Sequence, residues 1–526
     1  MKTTLPLALT IDLGTQSVRV ALINSKGEIE AIVKNKYEQC YFSTENGYAE
    51  QNADFYYEYI IKSLKTLAGQ NKDKLERIIG ATISTFRDTS VQLDRDLKPI
   101  RPCILWLDQR MAQGKEKISL LHTVLYKISG MWETIRLNKC RTIANWLKEN
   151  EPSTWSKTYK YVNISTYLTY KLTGNLVDSI SNMTGHYPIS FKSGKWLKDG
   201  ALKADVFGIP RRMCFDIKEA GSILGNITDE VADMCGLPKG IKIIASGSDK
   251  ACETIGLGCL DENKGAISYG TACTIEVSNN KYHEPEKFLP AYKAAIPNLF
   301  NMEVQVYRGY WMLTWFAKEF VNELSGTNSS KGPIEQILNS KLGNVPPGSD
   351  GLVLQPYWGP GLSRPLAKGA IVGFSDVHTR DHLYRAIIEG IAYALREGLE
   401  SIEHSQMNKV KEFMISGGGS QSDEICQITA DIFGRPVSRV QTNESTSLGA
   451  AICVFTAMGI FKNGKEAVEN MVHIKQTFSP NEVFAQQYEY LYNNVYLKLY
   501  PSLKKVHWNI RSFNVRSKKA YAEKKI

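Results

Sequence analysis

Two segments far apart in this chain, IDLGTQSVRV (Ile11–Val20) and ISYGTACTIEV (Ile267–Val277), carry the same device: an apolar run, a Gly-Thr pair and a second apolar run. Apolar runs on both sides of a Gly-containing turn predict a β-hairpin. The first opens a meander predicted over Leu7–Asp12, Val18–Ile23 and Glu28–Lys34. The second follows a predicted strand at Ile241–Ala245 and the segment SGSDKACETIGLG, Ser246–Gly258. A unit that occurs twice in 526 residues constrains the fold to two domains of related design. The pattern predicts two α/β domains facing each other across a cleft, with a boundary near residues 258 to 264. The expected division is 1–258, then 259–480, then a C-terminal helix and basic tail over 481–526.

Several other architectures are excluded by what the sequence lacks. There is no GxxxxGK followed by Ser or Thr and no GxGxxG, so neither a P-loop nor a dinucleotide fold has support. The opening LPLALTI is read as a strand and not as a secretory signal, because the apolar run is short and Asp12 interrupts it. No window approaches 18 apolar residues, so no membrane association is expected. The ten cysteines are scattered without a CxxC pair, which predicts reduced core thiols in a cytoplasmic protein. The formal charge of +10 would suggest nucleic acid were it spread evenly. From Pro501 to Ile526, however, eight Lys or Arg stand against one Glu, so a terminal tail carries most of it, and no nucleic-acid partner is expected.

Helices are expected over Asp54–Leu67, through most of 111–218, and over Asp381–Glu403, where Leu383, Ile387, Ala394, Leu395, Leu399 and Ile402 recur at helical spacing. In FMISGGGSQSDEICQITADIFGRPV a strand, three glycines and a helix follow one another, with Ser422 or Asp423 at the helix start. Glycines there let backbone approach a ligand, and the helix start favours an anion.

A Gly-Thr turn offers backbone N–H groups and hydroxyls to phosphate oxygens. Gly14, Thr15, Gln16 and Ser17 form the first such turn, and Gly270 with Thr271 the second. Asp12, at the end of its strand, is either a Mg2+ ligand or a carboxylate that caps the turn. Asp249 is either a general base for a hydroxyl or, with Ser248, a helix N-cap. Arg87 and Asp88, expected at a strand end, either hold a vicinal diol or form an ion pair that supports the hairpin at Asp94.

The chain resembles the FGGY family of carbohydrate kinases from about Leu7 to Phe461. IDLGTQSVRV resembles its first phosphate motif, GYAEQNADFYY an early Glu-Gln segment, and ILWLDQR a Trp-x-Asp-x-Arg strand. ASGSDKACETIG resembles its catalytic aspartate segment and SYGTACTIEV its second phosphate motif. GAIVGFSDVHTRDHLYRAIIEG resembles the second-domain signature, and GGGSQSDEICQITADIFGRPV with NESTSLGAAI the adenosine-side motif. The resemblance implies actin-like, RNase-H-like domains, ATP and Mg2+ in the cleft, and phosphoryl transfer to a sugar or polyol hydroxyl. It implies Asp249 as catalytic base and Asp12 with Asp249 as metal ligands. Gly418, Gly419 and Ser422 become adenine-side residues, and Arg87, Asp88, Asp249 and Lys250 face the acceptor. The expected partner is a small sugar or polyol, and a homodimer is compatible with the pattern.

Two positions depart from the family. Ile143 stands where a lysine usually precedes the tryptophan, here Trp146. Arg87-Asp88 replaces the Met-His pair of xylulokinases and the Arg-Glu pair of glycerol kinases, so the acceptor is not named by the sequence. The alternative from another class is a catalytically silent sugar or nucleotide sensor on the same fold, which ATP hydrolysis or sugar phosphorylation distinguishes.

Overall fold

The computed structural model describes residues 5–115, 118–286, 289–321, 334–359, 361, 364 and 366–523. Two compact units form. The first gathers residues 1–261, 278–302 and 444–473, and the second gathers 262–277, 303–443 and 474–526.

In the first unit the strand Leu7–Leu13 pairs antiparallel with Ser17–Asn24, which pairs in turn with Ile29–Lys36. On its other edge Leu7–Leu13 runs parallel to Ile78–Thr85, and Lys242–Ile244 and Ile223–Asn226 complete a six-stranded sheet. All seven residues of Leu7–Leu13 are buried, as expected of a central strand covered on both faces. The helix Ala53–Gln70 packs on this sheet through Tyr56, Ile60, Leu64 and Leu67, whose spacing puts them on one face. A second sheet joins Glu50–Gln51, Cys103–Ile104, Ser90–Leu93 and Lys160–Asn163, so residues 86 to 89 connect the two sheets.

The second unit repeats the arrangement. Lys264–Tyr269 pairs antiparallel with Cys273–Asn279 and parallel with Glu412–Ser416. Val437–Val440 continues the parallel order and Ile474–Phe478 adds an antiparallel strand. The chain is thus a two-domain α/β protein built twice on one plan. The helix Arg380–Gln406 lies in this unit, with Leu383, Ile387, Leu395, Leu399 and Ile402 buried as their spacing predicts. The C-terminal region is helical over Glu482–Leu491 and Leu497–Glu523, so helix continues through the stretch expected as a basic tail. All ten cysteines are free, and among the described residues no helix is long and apolar enough to cross a membrane.

The units do not follow a single cut near residue 258. Residues 444–473 return to the first unit because the helix Ser445–Ala457 crosses the helix Asp249–Gly256 with backbones nearly touching. A Cβ built on Gly449 would stand 1.8 Å from the carbonyl oxygen of Cys252, and one on Gly256 would stand 1.9 Å from that of Ser445. Only glycine fits either place. Gly69, near the end of the Ala53–Gln70 helix, has open space around its Cβ position. Gly449→Ala is therefore expected to destabilise the protein by about 2 kcal/mol or more, through steric separation of the helices. Gly69→Ala is expected to stabilise it slightly, by up to about 1 kcal/mol. Thermal melts of both variants check the contrast.

Candidate active site

Asp12 ends the buried strand and lies across the hairpin from Arg19, whose Nη1 donates to Asp12 Oδ2 at 3.3 Å. Arg19 also forms an ion pair with Glu444 at 2.9 Å, and Lys34 approaches the same carboxylate at 3.7 Å. Burial pushes the Asp12 carboxyl up to about 7; Arg19 opposes this, while Asp249, Glu444 and Glu253 reinforce it. Three carboxylates from two other parts of the sequence thus act on Asp12.

The turn after Asp12 is held from within. The Gly14 N–H donates to the Ser17 carbonyl at 3.0 Å, and the Gln16 carbonyl accepts from the Tyr37 N–H at 3.0 Å. Trp106 Nε1 donates to Thr15 Oγ1 at 3.0 Å, which leaves the threonine proton to be given elsewhere. Trp106 belongs to the ILWLDQR segment, so two of the sequence motifs meet at this turn.

Asp249 is the first residue of its helix and is not the cap. Ser248 is the cap, its hydroxyl accepting from the Ala251 N–H at 3.3 Å. Asp249 Oδ1 accepts from the Lys250 N–H at 2.8 Å. Burial raises the Asp249 carboxyl above the ordinary range although Lys250 and Arg87 pull it down. Lys250 Nζ is held by Glu253 at 2.7 Å.

Arg87 and Asp88 lie in the connection between the two sheets and not at a strand end, so strand alternation does not set their directions. Asp94 accepts from the Asp96 and Lys98 amides and shapes its own turn. Both Asp88 oxygens are engaged: Oδ2 meets His186 Nδ1 at 2.6 Å and Oδ1 accepts from the Thr184 hydroxyl at 3.3 Å. The Arg87 guanidinium lies 5.7 Å from the centre of the Tyr292 ring.

The remaining expected residues lie in the second unit. The carbonyls of Gly270 and Thr271 accept from the Tyr310 and Trp311 amides at 3.1 and 3.3 Å. The three consecutive glycines have different reasons. Gly417, at φ 83°, has its Cβ position 2.5 Å from the Tyr269 carbonyl oxygen, and that of Gly419 is 2.7 Å from the Tyr310 ring. Gly418 faces open space. The Ser422 hydroxyl caps the helix Asp423–Phe433 by accepting from the Ile425 N–H at 3.4 Å. The glycines at 417 and 419 are thus required by packing on Tyr269 and Tyr310, and Gly418 alone of the three has room beside it.

Sequence reasoning missed Glu444, Glu253 and His186. Glu444 sits in NESTSLGAAI, just ahead of a helix, and the signal that could have found it is the Gly449 that brings that helix onto the Asp249 helix.

Proteins similar to this chain include kinases of small carbohydrates. The chain is 28% identical over 493 residues to an uncharacterized sugar kinase of Escherichia coli, covering 93% of this chain and 92% of that protein. It is 28% identical to a xylulose kinase of Lactococcus lactis, covering 96% and 99%. The crystal structure of a gluconate kinase from Lactobacillus acidophilus has the same fold, with a TM-score of 0.80 at 22% identity over 96% of this chain and 100% of that one. The chain belongs to the FGGY family of carbohydrate kinases, whose N-terminal domain matches residues 7–256 and whose C-terminal domain matches 265–458. It is an ATP-dependent enzyme that transfers a phosphoryl group to a hydroxyl of a sugar or polyol.

The raised Asp12 carboxyl has a consequence for stability. An acid that binds its proton more tightly in the folded chain stabilises the fold fully below its unfolded value of 3.8 and loses that contribution as pH rises toward about 7. The slope is about 1.4 kcal/mol per pH unit inside this window. Asp12→Asn is expected to flatten the fall in melting temperature between about pH 4 and pH 7. Parallel wild-type and variant curves would show that Asp12 carries no such strain.

Proposed function

We propose that Asp249 is the general base of this kinase. The observation that carries the reading is the division of labour at residues 248 and 249: Ser248 caps the helix, and the adjacent carboxyl is raised by burial. A carboxylate of raised basicity is suited to take the proton of an alcohol as its oxygen attacks phosphorus. In the proposed step the acceptor O–H gives its proton to Asp249 and the oxygen bonds to the γ-phosphorus. The bond from that phosphorus to the bridging oxygen breaks, and ADP leaves.

Gly14, Thr15, Gln16 and Ser17 are assigned to the phosphates, with the Thr15 hydroxyl donating because Trp106 already occupies one of its lone pairs. Gly270 and Thr271 are assigned to the phosphates from the second unit. Gly418, with open space beside it, and the helix start at Ser422 are assigned to the nucleoside side. Gly419 is assigned only the packing role described above.

Mg2+ is the proposed metal, and Asp12 and Asp249 are the carboxylates that would hold it. Among the described residues no group of three or more His, Cys, Asp and Glu is placed to hold a metal alone. Mg2+ is commonly held by one or two carboxylates and completes its shell with phosphate oxygens and water. When bound, Mg2+ neutralises charge on the β- and γ-phosphates. The free cysteines fit a reducing compartment such as the cytoplasm.

Arg87 is assigned to the acceptor as a hydrogen-bond donor, with Lys250 beside the base. Asp88 is assigned to the acceptor side, where it accepts from Thr184, holds the His186 ring and keeps a lone pair on each oxygen. The test is a coupled ADP-release screen over polyols, ketoses and aldonates. On the best acceptor, Asp249→Asn is expected to lower kcat by about 100-fold or more, a larger change than in ATP binding. Arg87→Ala is expected to raise the acceptor KM by about ten-fold with little change in the KM for ATP. An Asp249→Asn enzyme within a few-fold of wild type would remove the base assignment.

A further inference from the structure

Asp88 has a φ of 62°, in the left-handed region that a side-chain-bearing residue seldom occupies. Such strain persists only where surrounding structure fixes it, and it collects at functional sites. Here it is fixed by the Thr184 hydroxyl and the His186 imidazole. The short bond at Nδ1 orients the ring and leaves Nε2 as its outward atom. The imidazole keeps 35% of its side-chain surface exposed, so a small molecule can reach it.

The segment that carries His186 is fastened to the segment that carries Asp249. The Ser179 hydroxyl donates to the Ser246 carbonyl at 2.5 Å, and the Ser248 N–H donates to the Ser181 carbonyl at 3.2 Å. Asp178, fully buried, accepts from Ser165, Thr166 and Asn182 and anchors the same segment. The Cβ position of Gly185 lies 3.4 Å from the Tyr292 hydroxyl, and the Tyr292 ring carries Arg87. Arg87 acts electrostatically on both Asp88 and Asp249. His186, Asp88, Arg87 and Asp249 therefore belong to one surface of the first unit.

We propose that His186 is a specificity-determining residue for the acceptor, its Nε2–H donating to an acceptor oxygen while Asp88 holds the ring. This rests on the kinase reading of Asp249. The charged groups acting on the imidazole are Asp88 and Arg141, and Asp88 in turn meets Thr184 and is influenced by Arg87. Burial and Arg141 disfavour the charged ring, and Asp88 outweighs both, so the imidazolium persists above the ordinary histidine value of 6.5. An acceptor oxygen, whether hydroxyl, carbonyl or carboxylate, meets a charged donor below this raised titration and loses that charge as pH rises through it.

The test measures acceptor KM from about pH 6 to pH 9 in the wild type, His186→Gln and Asp88→Asn, using the acceptor found by the screen. Wild-type KM is expected to rise through the histidine titration. His186→Gln is expected to raise KM by about ten-fold at neutral pH and to abolish that titration, with the KM for ATP unchanged. Asp88→Asn is expected to move the titration to lower pH, a readout that a purely structural role does not produce. An unchanged KM for ATP and an unchanged melting temperature establish that each variant folds. If either is lost, the histidine ring resonances of the wild-type protein decide, because they must shift when acceptor is added. A wild-type enzyme that phosphorylates nothing in the panel sinks the kinase reading and this inference together. Normal turnover with a His186→Gln KM and pH profile like those of wild type, or no shift of the ring resonances, overturns this inference alone.

Discussion

The first unit depends on one contact between two backbones. Where the helix Asp249–Gly256 meets the helix Ser445–Ala457, Gly256 and Gly449 leave no room for even a methyl group. Close approach of this kind fixes where each helix begins, because a helix is stiff over two or three turns. One begins with Asp249 and the other follows Glu444, and both carboxylates raise the Asp12 carboxyl. The Thr446 hydroxyl adds a bond to the Asp249 carbonyl at 3.4 Å. Residues almost two hundred positions apart are thereby held in one electrostatic site.

That site is costly to the free protein. Asp12, Asp249, Glu253 and Glu444 share a partly buried space with Arg19, Lys34 and Lys250, and the carboxyls of Asp12 and Asp249 remain raised despite these cations. Buried acids of raised affinity for protons are stabilised by anything that replaces the proton with another positive charge. On the proposed placement of Mg2+, a nucleotide bound with a divalent cation would do this, and the arrangement that strains the empty protein would strengthen binding of that ligand.

Much of this was legible in the sequence because hairpins and glycine turns are local. The strand at Leu7, the Gly-Thr turns and the helix over Arg380–Gln406 follow from spacing and turn chemistry within a dozen or so residues. What was not legible depends on chain returning from a distance. Residues 444–473 rejoin the first unit through the Gly449 contact, which no local pattern announces. Arg87 and Asp88 read as a strand end because they follow closely on the apolar run that begins at Ile78, yet they occupy a connection whose conformation is set by Thr184 and His186, nearly a hundred residues later. Ser248 and Asp249 both suit a helix start in sequence, and only the bond from the Ala251 N–H to the Ser248 hydroxyl separates their roles.

On the proposed placement of Mg2+, the acidic cluster around Asp12 holds a proton that the metal-bound nucleotide displaces. Calorimetric titration of the full-length protein with ADP and Mg2+ near neutral pH, repeated in buffers of different ionisation enthalpy, counts the protons released on binding. The wild type is expected to release a substantial fraction of one proton, and Asp12→Asn markedly less. No release by the wild type, or the same release by both proteins, would contradict it.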